Sequence, residues 1–321
     1  MSKETSPVGV SFMLVDINQV GQRLDNFLMS RLKGVPKSRI YRIIRKGEIR
    51  VNKKRVKPEH RLQQGDSVRI PPIRMAAANE VTAPSAQLLA LVGASILYQD
   101  ESLLILNKPS GLPVHAGTGV KTGLIEVLRY LYPENPDLEL VHRLDKGTSG
   151  CIMVAKSGMA LRFLNQELKA ARISKVYHAL VHGHWPRHIS EVNAALYKNL
   201  PRSGERFVEV SDFGKSALTR FRILEELPDF TLMEARPVTG RTHQIRVHAQ
   251  LIGHPILGDE KYGDPAVNAR LKKQGISRLC LHAAELRLKH PLSGDNIEVR
   301  APYDLQLENA LAIAGSARPE A

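Results

Sequence analysis

Val141-His-Arg-Leu-Asp-Lys-Gly-Thr-Ser-Gly150 sets a single carboxylate, Asp145, among two cations, a glycine turn and two hydroxyls. An apolar patch of Leu138, Leu140 and Val141 precedes it, and Cys151-Ile-Met-Val-Ala155 follows. Apolar runs on both sides predict a loop between two buried strands. Loops fixed by strands are where catalytic side chains concentrate. An aspartate followed closely by a glycine and two hydroxyls is also ordinary turn chemistry, so a turn cap or an ion pair with Arg143 accounts for Asp145 as readily as catalysis does.

Working outward from that loop, β-rich segments recur at 96–98, 103–106, 151–155, 176–181, 217–223, 230–235, 279–288 and 297–299. Helical patterns are fewer, at 123–131, 158–171, 241–250 and 267–274. Strands outnumber helices, and short turns such as 291–295 join neighbours. This pattern predicts an α+β domain over 95–305 with a mixed, largely antiparallel sheet. Residues 306–321 are read as a C-terminal tail, and the alanine-rich stretch 75–94 as a linker that could hold some helix.

Upstream lies a different texture. Leu24, Phe27, Leu28 and Leu32 have helical spacing, and Gly34 with Pro36 interrupts it. Ser38 is placed to cap a second helix whose Ile40, Ile43 and Ile44 face inward, with Arg39, Arg42 and Lys46 on another face. Gly47 ends that helix, and alternating residues at 48–51 and 68–70 predict a small hairpin turned at Asn52-Lys53-Lys54. The reading is a compact α/β module over 21–74, preceded by an extension, 1–20; residues 1–18 and 306–321 carry no readable function.

Charge sharpens the division. The 321-residue chain carries a net charge of +14. Between Gly21 and Arg74 there are 16 Lys and Arg against 4 Asp and Glu, while the rest of the chain is nearly balanced. Such a local excess marks a polyanion-binding module rather than a generally solvated surface. The two cysteines, Cys151 and Cys280, sit in apolar surroundings with no paired spacing and read as reduced thiols. With no apolar leader and no apolar run of roughly 18 residues, the expectation is a soluble cytoplasmic protein with no membrane partner. Nothing suggests more than a monomer.

Three other segments carry chemistry-bearing residues. Lys108 lies in the turn Asn107-Lys-Pro-Ser-Gly111, which Pro109 and Gly111 explain equally well as architecture. Lys175 and Tyr177 share one side of an alternating strand, where a tyrosine is usually core and, in a nucleotide site, a stacking platform. Gly240-Arg-Thr-His-Gln-Ile-Arg-Val-His248 puts Arg246 near the face of Gln244 and His248, either solvated or partnering a buried carboxylate. His243 and His248 are five apart, the wrong interval for a zinc pair on one helix face, and no Cys cluster or His-Glu-x-x-His occurs. Phosphate-cradling glycine loops are absent too, so neither metal nor cofactor is expected.

Taken together, His142-Arg-Leu-Asp-Lys-Gly-Thr-Ser-Gly150, Asn107-Lys-Pro-Ser-Gly111, Lys175-Val-Tyr177, the 240–248 motif and Gly253-His-Pro-Ile-Leu-Gly-Asp259 resemble the RluA family of pseudouridine synthases. Residues 23–70 resemble an S4 RNA-binding domain through Arg23-Leu-Asp25, the basic helix from Ser38 to Gly47, Val51-Asn52 and Arg55-Val-Lys57. Lys146-Gly147 departs from a loop that varies in the family. The resemblance implies a cofactor-independent isomerisation of uridine to pseudouridine in RNA. Asp145 would be the catalytic carboxylate, attacking C1′ or removing a sugar proton, with Arg246 as its counter-charge and Tyr177 stacking on the uracil or taking the C5 proton. Arg143, His142 and Lys108 would serve base flipping and substrate contact, and extrusion of a base costs roughly a few kcal/mol. Lys37, Arg39, Arg42, Arg45, Lys46, Lys53, Lys54 and Arg55 would grip RNA phosphates. Within the family the resemblance, which includes Ser203-Gly-Glu-Arg206, is to members acting on the large ribosomal subunit, implying 23S rRNA as partner. The competing classes are a non-catalytic RNA-binding or ribosome-assembly protein and a metal-dependent hydrolase.

Overall fold

A computed structural model describes residues 9–32, 34–73, 83–117, 122–135, 137–199 and 207–316. The chain divides into two compact units, 1–83 with 157–159, and 84–156 with 160–321. The stretch 203–206 and most of the segment 75–83 lie outside the described residues.

The first unit comprises β1 (Ser11–Leu14), α1 (Leu24–Arg31), α2 (Lys37–Arg45), β2 (Arg50–Val51) and β3 (Ser67–Ile70). Its strands form an antiparallel sheet in the order β1-β3-β2. Leu24, Phe27 and Leu28 of α1 meet Ile40, Ile43 and Ile44 of α2 over Val51, Val68 and Ile70. Both helices therefore bury the i, i+3, i+4 stripe that their spacing predicted. Asp25 ties the two helices together. It is buried, and it accepts hydrogen bonds from the Arg23 guanidinium at 2.7 and 3.1 Å and from the Tyr41 hydroxyl at 2.9 Å. The Arg23 bond, with help from Tyr41, holds its carboxyl down at about 2.

Two expectations for this unit need correction. Within the extension 1–20, Ser11–Leu14 is a strand of the sheet and pairs with Ile70 back to Ser67. A four-residue strand with alternating exposure is too short to stand out in sequence. Ser38 does not cap α2, because Pro36 occupies that position and its carbonyl accepts the first helical amides, Arg39 at 2.9 Å and Ile40 at 3.2 Å.

The second unit runs α3 (Ala86–Ala94), β4 (Ile96–Gln99), β5 (Leu103–Lys108), α4 (Leu124–Leu131), β6 (Glu139–Leu140), β7 (Ser149–Ala155), α5 (Gly158–Lys169), β8 (Ser174–His182), β9 (Glu191–Asn193), β10 (Leu196–Asn199), β11 (Phe207–Val210), β12 (Leu218–Glu226), β13 (Phe230–Pro237), α6 (Gln244–Leu251), α7 (Pro265–Lys273), β14 (Leu281–Lys289), β15 (Asn296–Arg300) and α8 (Leu305–Ser316). A ten-stranded sheet follows the path β4-β5-β7-β14-β8-β13-β12-β9, with β15 on β14 and β6 on β7. The fold is α+β, and the sheet is mixed and largely antiparallel. Its parallel joint, β7 with β14, is only two residues long: Ser149 opposite His282, and Gly150 opposite Ala283. Gly150 has φ +104°, and a Cβ there would lie 2.3 Å from the Ala283 carbonyl oxygen. Only glycine lets the strands approach so closely.

Segment 75–94 is not linker throughout. Ser85 Oγ accepts the Leu88 amide at 3.2 Å to start α3, and Val92 is fully buried in the core. Residues 305–316 are likewise more than a tail, because α8 buries Leu307, Ala310 and Ala314 against the same core. The hairpin β10–β11 was not foreseen from the sequence.

Candidate active site

Asp145 sits between β6 and β7, in a loop held from several directions. Thr148 closes the turn by donating its amide to the Asp145 carbonyl at 3.1 Å, and Gly111 donates to the Lys146 carbonyl at 2.8 Å. Ser110 Oγ donates to the Gly147 carbonyl at 2.8 Å. The parallel joint then fixes what faces the loop. Gly150 pairs with Ala283, and Ala283 pairs with Tyr177 of β8, so the tyrosine lies two strands across from the end of the Asp145 loop.

The carboxylate is partly shielded, with 17 % of its side chain exposed, and Arg246 Nη1 donates to its Oδ2 at 3.0 Å. Arg246 projects from the first turn of α6. That helix begins at Gln244, three residues later than its spacing predicts. The Gln244 Oε1 accepts the Thr239 hydroxyl at 2.7 Å and the Arg241 amide at 3.0 Å, which fixes the preceding turn.

Arg246 is itself anchored. Its Nε and Nη2 donate to both oxygens of Asp259, at 2.7 and 2.8 Å, and the Asp259 side chain has no exposure to solvent. Burial opposes the charge on Arg246, but the bonds to Asp259 and the charges of Asp259 and Asp145 outweigh it, so the guanidinium is held more firmly protonated than usual. A bidentate pair leaves one Arg246 nitrogen aimed at Asp145 with little rotational freedom.

Burial, and then the Asp145 charge, push the Tyr177 phenol well above its usual range. Its hydroxyl has no protein hydrogen-bond partner among the described residues. A neutral, buried phenol beside a carboxylate suits it to stack on a planar base. Arg143 is exposed and has no ion-pair partner among the described residues. It is free to reach into a nucleic-acid stack.

Two residues expected at the substrate are placed elsewhere. Lys108 ends β5 and is fully buried, with Nζ donating to the carbonyls of Pro109, Leu112 and Lys146 at 2.7, 2.8 and 3.3 Å. Burial, reinforced by Arg278 and opposed by Asp145, pushes its ammonium down to about 7. Lys108 thus braces the loop from beneath. His142 Nε2 accepts the Met153 amide at 3.1 Å, and burial pushes its imidazole down to about 3. It is a neutral anchor between the loop and β7.

Sequence reasoning missed three side chains. Asp259 was quoted only as the end of a motif, and its signal is Gly258, where φ is +69° and a Cβ would lie 1.9 Å from the Arg278 carbonyl oxygen. His243 Nε2 lies 3.7 Å from Asp145 Oδ1, on the side opposite Arg246. Tyr262 bonds His243 Nδ1 at 2.7 Å, and its ring lies 5.0 Å from the Arg246 guanidinium. His248 bonds Thr219 and the Ala194 carbonyl instead, at 3.0 and 3.1 Å. Among the described residues no three His, Cys, Asp or Glu side chains gather as a metal site would require.

In the first unit Lys37, Arg42, Arg45, Lys46, Lys53, Lys54 and Arg55 are exposed and Arg39 is half-buried. None of them pairs with a carboxylate among the described residues. Arg45 and Arg55 donate to backbone carbonyls, at 3.4 and 3.0 Å, and the Lys37 ammonium lies 5.9 Å from the Tyr41 ring. The cations of α2 and the following turn are left to neutralise an external polyanion.

A loop-borne aspartate with an anchored arginine and a buried tyrosine, together with a basic α/β module, defines a class that comparison with known proteins names. Residues 102–251 match the model of the RNA pseudouridylate synthase family, and residues 22–68 match the S4 domain. The chain belongs to the RNA pseudouridylate synthases, which are isomerases, and carries an S4 domain. It is 50 % identical to the ribosomal large subunit pseudouridine synthase C of Haemophilus ducreyi, over 97 % of this chain and 98 % of that protein. The protein of the same name from Escherichia coli K12 is 49 % identical, over 98 % of this chain and all of the relative. Among solved structures, human RNA pseudouridylate synthase domain containing 4 superposes with a TM-score of 0.59 at 26 % identity, covering 73 % of this chain and 98 % of that one.

Proposed function

We propose that this chain converts specific uridines of the large-subunit ribosomal RNA, 23S rRNA, to pseudouridine in the cytoplasm, with Asp145 as the catalytic carboxylate. The observation that carries the reading is the Asp145–Arg246–Asp259 chain: a carboxylate, partly withdrawn from water, with a counter-charge that cannot turn away. Near-complete alignment with relatives named for the large ribosomal subunit supports the substrate. No helix among the described residues is long and apolar enough to cross a membrane.

In this reading the S4 domain grips phosphates and sets register. Arg143 enters the stack as the target nucleotide leaves it, and Tyr177 receives the uracil face. Asp145 opens the N1–C1′ bond, by attack at C1′ or by removing a sugar proton, and the uracil leaves with the N1 electron pair and turns. C5 then bonds to C1′, releasing the carboxylate or returning the sugar proton, and the C5 proton is lost while N1 gains one. Tyr177's raised phenol favours the platform role over that of a resting base.

The test maps pseudouridines in 23S rRNA from a strain lacking the protein, complemented with wild type or Asp145→Asn. Specific sites should disappear, return with wild type and stay absent with the variant, while purified Asp145→Asn still binds the RNA. Unchanged sites would sink the substrate assignment, and full restoration by Asp145→Asn would favour a non-catalytic binding role.

A further inference from the structure

His243 has no place in the chemistry above, yet it is held with unusual care. It stands at the N-cap of α6 with φ 55° and ψ 18°, a left-handed conformation that a residue with a Cβ adopts at some expense of backbone strain. That conformation aims the ring at Asp145. Nε2 lies 3.7 Å from Oδ1, while Arg246 holds Oδ2, so the two groups flank one carboxylate from opposite sides.

The other ring nitrogen is committed. Tyr262 bonds Nδ1 at 2.7 Å, and the same phenol oxygen accepts the Val208 amide at 3.1 Å. Among the described residues the Tyr262 hydroxyl proton has no acceptor other than His243 Nδ1. If Nδ1 carried the ring proton, the phenol would accept two hydrogens and leave its own without a partner, which a buried hydroxyl avoids. Tyr262 therefore donates, Nδ1 accepts, and the imidazole proton sits on Nε2. Tyr262 is fixed in turn by its backbone amide donating to Asp259 Oδ1 at 3.0 Å and by its ring tilted against Phe207, 5.1 Å between centroids.

We infer that His243 is a positioning residue for the reaction: its Nε2–H, oriented by Tyr262, is a second donor to Asp145 that holds Oδ1 while Arg246 holds Oδ2. Asp145, Arg246, Lys261, Asp259 and Tyr262 are the charged and titratable groups around the ring. Burial, with Arg246 and Lys261 adding to it and the two carboxylates opposing, keeps the ring neutral at pH 7, so that a single tautomer is defined. The 3.7 Å gap closes to a hydrogen bond with a small turn of either side chain, and a carboxylate clamped from both sides presents one face to the sugar.

The inference rests on Asp145 being the catalytic carboxylate, and the experiment separates the two. In the full-length protein at pH 7 with ¹⁵N-labelled histidine, the His243 signals, identified by their absence from His243→Asn, should show Nε2 protonated and Nδ1 bare. An Nδ1–H tautomer overturns the inference without touching the reading of Asp145.

Single-turnover kinetics supply the second arm. Asparagine tolerates the left-handed backbone and is too short to reach Asp145, so His243→Asn should lower the rate of pseudouridine formation about 10- to 100-fold, the loss of one hydrogen bond to a charged group. RNA Kd should stay within about 2-fold, because phosphate contacts carry affinity. His243→Gln, whose amide reaches farther, should recover part of the rate. A wild-type rate in His243→Asn, or no recovery in a folded His243→Gln, overturns the inference. Asp145→Asn at the wild-type rate would instead sink the reading of Asp145 itself.

Discussion

Replacing Lys108 by methionine separates a substrate contact from a buried brace. The ammonium is fully buried, and its three protons match three carbonyl acceptors, of Pro109, Leu112 and Lys146. Burial moves it from 10.5 to about 7, whereas in the unfolded chain it keeps its ordinary value. Between those two pH values the unfolded chain holds the extra proton, so wild-type stability rises with pH through the window and falls again as pH drops toward 7. The slope is at most about 1.4 kcal/mol per pH unit, and between pH 7 and 8.5 the gain is about 1.5 kcal/mol. Methionine has no proton to exchange, so the stability difference between wild type and Lys108→Met should widen by that amount. Each carbonyl left bare away from water costs about 1–3 kcal/mol, which makes the variant the less stable protein at pH 8.5. Urea titrations at pH 7.0, 7.75 and 8.5, followed by fluorescence of Trp185, the single tryptophan and a buried one, read the second unit directly. A difference that stays flat would mean the three carbonyls offset the desolvation in full and Lys108 remains an ordinary ammonium. An RNA affinity lowered about tenfold with stability unchanged would restore Lys108 to the RNA surface, since that is the signature of a lost direct contact worth about 1.4 kcal/mol.

Asp259→Asn should destabilise the protein by about 3–5 kcal/mol, because it leaves the Arg246 guanidinium in a dry site with half its charge partners removed; an unchanged melting temperature would refute the anchoring role. Gly150→Ala should prevent proper folding, since the added Cβ meets the Ala283 carbonyl oxygen at 2.3 Å and φ is +104°; normal soluble yield and melting would show that the parallel joint can open. Arg42→Glu combined with Lys46→Glu should weaken binding to long RNA and flatten its salt dependence by about one unit of log–log slope per lost phosphate contact. Turnover of a short substrate should change far less, and equal loss on both would count against a separate docking role for the S4 domain.

Much of the fold was legible because the hydrophobic periods are clean. Ile40, Ile43 and Ile44 declare one face of α2, and 103–106 and 151–155 declare central strands, since residues buried on both faces of a sheet leave an unbroken apolar run. What failed were segments whose burial is partial or whose partner is distant. The strand at Ser11–Leu14 gains its identity from β3, more than fifty residues away. The helix at Ala86–Ala94 buries Val92 alone among its apolar residues, so an alanine-rich stretch with few charges read as a linker. The hairpin β10–β11 shows mainly exposed side chains and offers no apolar alternation to read.

The site shows a different limit. Motifs identify which residues matter to a loop without saying whether they face the substrate or hold the loop from behind. Lys108 and His142 belong to the motifs as much as Arg143 does, yet a cation aimed at three carbonyls and an imidazole bonded to a strand amide are structural by geometry. Conversely, Asp259, His243 and Tyr262 lie more than ninety residues downstream, His243 beside Asp145 itself and the other two behind Arg246 and His243. The short parallel joint seats the loops that precede both strands side by side, as Arg278 donating to Ser149 Oγ at 2.8 Å shows, and it brings Tyr177 level with Gly150. The height of Tyr177 against the Asp145 loop follows from where two strands stop pairing, which is tertiary information that a linear motif does not carry.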